Sequence, residues 1–426
     1  MNPNDGALLG ERILAMAQAL ARHSDQPDAL TVAYLTPAHR AAAADLAQWM
    51  REAGMAVEID AVGNVVGRFE AADPAAPTLM TGSHFDTVRN GGKYDGRLGI
   101  LLPIAVVAEL AARGERLPCH LEIVAFAEEE GLRYRSSFLA SSALAGAFDA
   151  ALLDRSDADG VPLRAAMQAA GLPGTAASIA ALRRDPARLA GYIEVHIEQG
   201  PVLLERGLPL GIVTSIAGSV RMVARVAGVA SHAGTTPMPM RKDAAAAAAE
   251  MLLAIEHRCS QAPTLVGTVG MLNVPDGATN VIPGRCEFSI DIRAGDDATR
   301  DVAVADVVAT CQQIAARRGV RLELQRTMQV PCAPCSPRLI DRLEQAVARA
   351  GVAPFRLPSG AGHDAMMIQR LTEVCMLFVR CGNGGISHNP LETMTAADAD
   401  LAARVFRDFV RGMPAQPTRT AAAAPA

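Results

Sequence analysis

One stretch constrains this chain more than any other: Thr81-Gly82-Ser83-His84-Phe85-Asp86-Thr87-Val88, entered from the apolar run Pro77 to Met80. The apolar run reads as a buried strand. Gly82 breaks it, and His84 and Asp86 stand two residues apart where the strand ends. Side chains two apart on an extended chain point the same way, so an imidazole and a carboxylate face a common site. Asp95 follows on a loop rich in glycine (Gly91, Gly92, Gly96). Imidazole and carboxylate at a strand end suit a borderline divalent ion such as zinc or manganese. Taken alone, the stretch reads equally as a polar loop with a chance histidine. The decision rests on whether the chain supplies further ligands.

The pattern around it is that of an α/β protein. Residues 7–23 carry helical periodicity (Leu9, Ile13, Leu14, Leu20), and 36–53 reads as a second helix with Pro37 in its first turn. Val57 to Phe69 alternates about Gly63-Asn64, which predicts a hairpin. Gly99 to Leu110 is an apolar helix, and Leu121 to Ala127 a strand that stops at Glu128-Glu129-Glu130-Gly131. Strands alternating with helices place functional groups at the strand ends of an α/β sheet. Residues 132–190 read as helices and loops with a turn at Asp157-Ala158-Asp159-Gly160. Its alternating acids suggest calcium, but the rest of a calcium loop is missing. Tyr192 to Gly200 then reads Tyr-Ile-Glu-Val-His196-Ile-Glu-Gln199-Gly.

After Ser215 the pattern changes. Strands are expected at 220–229, 264–273, 285–293 and 320–325, with helices at 243–257 and 300–318. That order, β-α-β-β-α-β, is a ferredoxin-like unit. The first pattern resumes at about 336 with a helix (339–350), a strand (376–380), the loop Gly382 to Pro390 containing His388, and a helix over 396–411. The expected organisation is therefore an α/β domain over 1–214 and 330–413, an inserted α+β domain over 215–329, and a disordered Ala/Pro/Thr-rich tail over 414–426.

Composition narrows the function. The chain has 426 residues, net charge −5 and no basic run, which speaks against nucleic acid as a partner. No apolar run is long enough to span a bilayer. The N-terminus lacks the charged and apolar regions of a signal peptide. Eight scattered cysteines read as free thiols of a cytoplasmic protein, and Cys332/Cys335 has no second pair to make a zinc knuckle.

Five candidate ligands thus stand at the ends of α/β elements: His84, Asp95, Glu130, His196 and His388. They could hold two divalent ions if Asp95 bridges them, with Glu129 as the adjacent base and Asp86 fixing His84 by a hydrogen bond.

With these residues in view, the chain resembles the dinuclear-metal amidohydrolases related to aminoacylase and carboxypeptidase G. It is most similar to the hydantoinase/carbamoylase branch: N-carbamoyl-L-amino-acid hydrolase, β-ureidopropionase and allantoate amidohydrolase. The motifs are Gly82 to Thr87, Asp95-Gly96, Glu129-Glu130-Gly131, His196 to Gly200, Ser231 to Met238 and Gly385 to His388, spread over residues 8–412. The resemblance implies one metal on His84, Asp95 and His196 and another on Asp95, Glu130 and His388. Zinc or manganese would fill them, with nickel or cobalt also suited. It implies Glu129 as general base, with Glu128 a one-residue alternative, and Asp86 as the carboxylate behind His84. It also implies Gln199 as a substrate-contacting amide, His232 as an oxyanion-stabilising imidazole, and Asn280 and Arg293 as carboxylate-holding groups. Read without the resemblance, the last three are a residue opening a helix, a turn asparagine and a surface arginine. His363-Asp364 matches a family motif and reads as a loop near the metals. The inserted domain is expected to form a homodimer or close as a lid.

The implied activity is hydrolysis of a ureido C–N bond on a small carboxylate, allantoate first and N-carbamoyl-L-amino acids or N-carbamoyl-β-alanine second. A peptidase or aminoacylase with the same metals is the rival, against which His196 and Gln199 speak. A non-catalytic binding protein is the third possibility, against which the full ligand set speaks.

Overall fold

The computed structural model describes residues 9–415, which fall into two compact units. The first comprises residues up to Thr214 with Cys335–Leu357 and the chain from His363 onward. The second comprises Ser215–Pro334 with Pro358–Gly362.

The first unit is built on a mixed sheet. Its strands are β1 (Ala56–Ile59), β2 (Val65–Phe69), β3 (Thr78–His84), β4 (His120–Phe126), β5 (Leu189–Ile197), β6 (Leu210–Ile216) and β7 (Val374–Val379). They lie in the order β1-β2-β4-β3-β5-β7-β6. The four central strands, β4, β3, β5 and β7, run parallel. β2 and β6 flank them antiparallel. β3 and β4 are buried at every residue, which explains why they read as continuous apolar runs rather than alternating ones. From β3 the chain passes through helix Leu98–Ala112 to β4 on one side, and later to β5 on the other. β3 is therefore a topological switch point, where a crevice opens beyond the carboxyl ends of the strands.

Helix Leu98–Ala112 is buried over nearly its whole surface and packs against β3, β4 and β5, as a helix apolar all round must. Helix Pro37–Glu52 begins where Thr36 accepts the His39 N–H and Pro37 occupies the first turn. Helix Ala396–Arg411 packs on Leu9–Leu20 and Leu98–Ala112, burying Ala399, Ala402, Val405, Phe406 and Phe409.

The second unit has an antiparallel sheet with two helices. Gly218–Ala227 and Arg285–Ala294 pair along their whole length, and Arg321–Val330 flanks the former. Burial alternates along Arg285–Ala294. Cys286, Phe288, Ile290 and Ile292 thus join Ala247, Met251 and Ile255 of helix Ala244–Cys259 and Ala303, Val307 and Ile314 of helix Asp297–Arg318 in one core. Asp243 and Asp296 cap the two helices through their carboxylates.

The structure departs from the sequence reading in places. The strand expected over 264–273 is two short strands, Leu265–Thr268 and Leu272–Asn273, on either side of Gly270. β6 is a further strand, buried at most positions and without alternation in its sequence. The Asp157 turn is held by protein groups: Asp157 Oδ1 accepts the N–H groups of Asp159 and Val161, and Oδ2 accepts from Arg133. Residues 7 and 8 of the first helix and 416–426 of the expected tail lie outside the described residues.

Candidate metal centre

The sheet delivers its polar groups to one rim. His84 ends β3, Glu128-Glu129-Glu130 follow β4, His196 lies one residue before the end of β5, and His388 stands on the loop after β7. Asp95 enters on the loop between β3 and helix Leu98–Ala112. Its two carboxylate oxygens face different partners. Oδ1 lies 3.3 Å from His196 Nε2 and 3.8 Å from His84 Nε2, whereas Oδ2 lies 3.0 Å from His388 Nε2. Glu130 Oε1 is 3.5 Å from the same His388 nitrogen. Two ligand groups result, His84/Asp95/His196 and Asp95/Glu130/His388, each with one donor atom per residue within 4.8 Å of the others. Asp95 belongs to both. Three imidazoles, one shared carboxylate and one terminal carboxylate are a donor set that fits two borderline divalent ions.

The other ring nitrogens fix the ligands' orientation. His196 Nδ1 lies 2.8 Å from the Ile197 carbonyl, and His84 Nδ1 lies 3.1 Å from that of Asp86. In both rings this leaves Nε2 to face Asp95. The Asp86 carboxylate is 3.5 Å from His84 Nδ1, but its short bonds go elsewhere. Oδ1 accepts the Glu129 N–H and Oδ2 the Glu130 N–H, both at 3.1 Å. The acid expected behind His84 thus does more: it clamps the backbone of the two glutamates.

The three consecutive glutamates separate by environment. Glu129 groups with His84 and Glu130. Glu128 is wholly buried and lies outside every group of potential ligands among the described residues. Burial drives the Glu129 carboxyl well above the usual range, His84 opposes this, and the charges of Glu130, Asp364 and Asp86 add to it. Burial, with Asp95 and Asp86, likewise pushes Glu130 up to about 7. Burial disfavours the charged form of His84, but Asp86, Glu129 and Asp95 outweigh it and raise its pKa. Such crowding of buried acids calls for positive charge. Part comes from Arg97, wholly buried, with Nε on the Phe85 carbonyl at 3.3 Å and its charge toward Asp86, Glu392 and Asp95.

Gln199 Nε2 donates to both oxygens of Asp95 at 3.1 Å and lies 3.2 Å from His388 Nε2. The His363 ring meets the His196 ring edge-on at 4.5 Å. Asp364 precedes the short helix Ala365–Ile368, whose first N–H donates to the buried Glu194. Sequence reasoning missed Glu392, a buried carboxylate bonded to the Tyr94 and Asp95 N–H groups and to Ser387. It follows a Pro-Leu dipeptide, with no pattern to mark it.

His232, Asn280 and Arg293 belong to the second unit. His232 opens no helix. It lies on a two-residue strand opposite Val281, and the Asn280 carbonyl accepts the Ala233 N–H. His232 Nδ1 accepts the N–H groups of Gly234 and Thr235 at 3.0 and 3.2 Å. The neutral ring must then carry its proton on Nε2, a donor. Arg293 is held by Asp291 through Nε and Nη2 and by the Gly360 carbonyl through Nη1.

Residues 80–412 match Peptidase family M20/M25/M40. The chain belongs to this family. Among its M20/M25/M40 relatives, an N-carbamoyl-L-amino acid amidohydrolase of Geobacillus stearothermophilus is 40% identical over 398 residues, 93% of this chain and 97% of that one. An allantoate deiminase of Arabidopsis thaliana is 37% identical, covering 95% of this chain and 82% of that one. The crystal structure of a hydantoinase/carbamoylase family amidase from Burkholderia multivorans superposes with a TM-score of 0.89 at 30% identity, over 96% of this chain and 99% of that one. As an M20/M25/M40 member the chain is a hydrolase with a His/Asp/Glu cluster that could bind metal. Among the described residues, no helix is long and apolar enough to cross a membrane.

Proposed function

We propose that this chain hydrolyses a C–N bond of a ureido group carried by a small carboxylate. Allantoate, releasing ammonia and carbon dioxide, is the leading substrate and N-carbamoyl-L-amino acids the second. The observation that carries the reading is Asp95, whose two oxygens face separate histidine groups. The second substrate class is favoured by the 40% identity to an N-carbamoyl-L-amino acid amidohydrolase.

His84, Asp95 and His196 would hold one ion and Asp95, Glu130 and His388 the other; bound there, zinc or manganese (nickel or cobalt also suit) would polarise the ureido carbonyl and acidify the attacking water. The remaining work falls to the chain. Glu129 takes a proton from the water as its oxygen adds to the ureido carbon, and returns it to the departing nitrogen as the C–N bond breaks. The carbamic acid that leaves separates into ammonia and carbon dioxide. The Nε2–H of His232 donates to the oxygen on which negative charge develops. Arg293, held by Asp291, offers its guanidinium to the substrate carboxylate, and Asn280, which lies with His232 beyond the opposite end of strand Arg285–Ala294, is the second group for it. Gln199, already on Asp95, orients the ureido amide.

In this reading the unit of residues up to Thr214, Cys335–Leu357 and the chain from His363 onward is the catalytic domain, and the inserted unit, expected over 215–329 but extending to Pro334 and taking in Pro358–Gly362, is the dimerisation and lid domain. His232, Asn280 and Arg293 serve a site in their own chain or in a partner's. The free thiols accord with a cytoplasmic location.

A panel of allantoate, ureidoglycolate, N-carbamoyl-β-alanine and N-carbamoyl-L-amino acids, with each metal, tests the assignment through ammonia release. Turnover of allantoate is expected. Release from N-carbamoyl amino acids alone would reverse the two substrates, and cleavage of dipeptides with every ureido compound inert would overturn the reading.

A further inference from the structure

We infer that Glu392 is a positioning residue that ties the Asp95 loop to the His388 loop and so sets the second of the two metal positions. The inference rests on the ligand assignment above.

Glu392 is 1% exposed, and both its oxygens are used. Oε1 accepts the N–H groups of Tyr94 and Asp95 at 2.8 and 3.2 Å, which fixes the backbone that presents the shared carboxylate. Oε2 accepts the Ser387 hydroxyl at 2.8 Å, one residue before His388. The same hydroxyl lies 3.5 Å from Asp95 Oδ2, the oxygen that faces His388. One side chain therefore joins two loops almost 300 positions apart in the sequence, at the residues that carry ligands.

The surroundings are shaped to this carboxylate. Asn389 closes a turn by accepting the Leu391 N–H on its side chain and the Glu392 N–H on its carbonyl. His388 itself has a left-handed backbone, φ 54°. A Cβ on Gly92 would overlap the Glu392 carboxylate, so only glycine leaves it room. Glu392 appears in no group of potential metal ligands among the described residues. Its oxygens are occupied by hydrogen-bond donors, so it acts on the metals through the groups it holds. The first position has other supports: His84 and His196 sit on β3 and β5, each with its Nδ1 on a main-chain carbonyl. The second position lacks such a frame. Glu130 and His388 are on loops, and His388 is half exposed.

The expected signature is a split between the two ions. Metal-stripped enzyme is titrated with manganese or zinc, and bound metal is counted by elemental analysis. Glu392→Ala weakens the second ion about 10- to 100-fold, the range seen when the partners that hold ligands are removed, and the first, whose shared Asp95 has His84 and His196 beside it on strands, several-fold less. Glu392→Gln retains an acceptor for both N–H groups and restores most of the second affinity. Gly92→Ala, which displaces Glu392, reproduces the loss, and the double variant Gly92→Ala/Glu392→Ala is no worse than either single one. Circular dichroism and urea unfolding confirm folding. Should Glu392→Ala fail to fold, Gly92→Ala and Ser387→Ala decide. Two ions bound with unchanged affinity in the folded variants, or equal loss of both ions, overturns the inference. Counting metal needs no substrate, so it is independent of the ureido assignment. His388→Ala binding two ions would instead overturn the ligand assignment.

Discussion

Replacing Gly96 by alanine tests the geometry of the whole centre with one methyl group. Gly96 follows Asp95, the candidate shared ligand, and has φ +66°. An L-residue there costs about 1–2 kcal/mol. The added Cβ would lie 2.5 Å from Cδ2, Cε1 and Nε2 of His84, where ordinary contact begins at 3.4 Å. The imidazole must therefore retreat by about 0.9 Å, the difference between these distances. The three nearest atoms all belong to the His84 ring, which is buried and held at Nδ1 by the Asp86 carbonyl, so the ring is the group that must give. It cannot move without carrying Nε2 away from Asp95, already 3.8 Å distant. A misplacement of about 1 Å at a catalytic centre costs on the order of 100-fold in rate. Gly96→Ala should thus fold, lose 1–2 kcal/mol in urea unfolding, bind the first ion less tightly and turn over about 100-fold more slowly. The readouts are the urea midpoint, bound metal per chain and kcat from ammonia release. A folded variant with full metal content and wild-type kcat would refute the placement of His84.

Other outcomes follow from the same geometry. Glu129→Gln should lower kcat by about 10²- to 10⁴-fold while leaving metal content intact, whereas Glu128→Gln should act on stability before rate; a reversed pattern in the two kinetic assays would move the base to Glu128. Chelation should abolish activity, and manganese or zinc should restore it; full activity in chelated, metal-analysed enzyme would contradict the ligand set. Asp86→Asn offers one acceptor where two backbone N–H groups need two, so one stays unsatisfied at a cost of about 1–3 kcal/mol by urea unfolding; an unchanged midpoint would deny the clamp. Burial lowers His39 to about 4, opposed by the Ala127 carbonyl and the Asp86 and Asp25 charges. Between pH 6.5 and about 4 the unfolded chain takes up a proton that folded His39 refuses, so stability falls with falling pH by about 3 kcal/mol. His39→Gln should flatten urea midpoints over that window, and an unaltered slope would assign the effect to other groups.

The parts of the fold readable from sequence are those with period or punctuation. Helix Ala396–Arg411 was expected at its observed bounds, because an apolar stripe follows the capping Thr395. β3 and β4 announced themselves as apolar runs ending in polar residues. β6 did not: it is buried at most positions without alternation, and although Gly207 and Pro209 stand before it, a short apolar run has no period that marks it as strand. At the site, His84 and Asp95 stand out because polar groups interrupt an apolar strand and a glycine loop. What sequence could not convey was the use of each group. Asp86 reads as a neighbour of His84, yet its carboxylate serves residues 43 and 44 positions away. Glu392 has the composition of any loop acid, and its role exists only through main-chain donors that no pattern encodes.

The centre draws on the ends of β3, β4, β5 and the loop after β7, so its first and last candidate ligands, His84 and His388, stand 304 positions apart. A chain still being synthesised presents His84 and Glu130 early but lacks His388 until nearly all of its length has been made. No short segment holds a complete ligand group, because each group draws on residues brought together only by sheet pairing. Unlike a zinc finger, where the ion recruits a short loop, this enzyme should acquire its second ion after β7 has docked beside β5. On the proposed ligand assignment, metal uptake would then be a late event of biogenesis, and a bound pair would report that the sheet has been assembled in the right order.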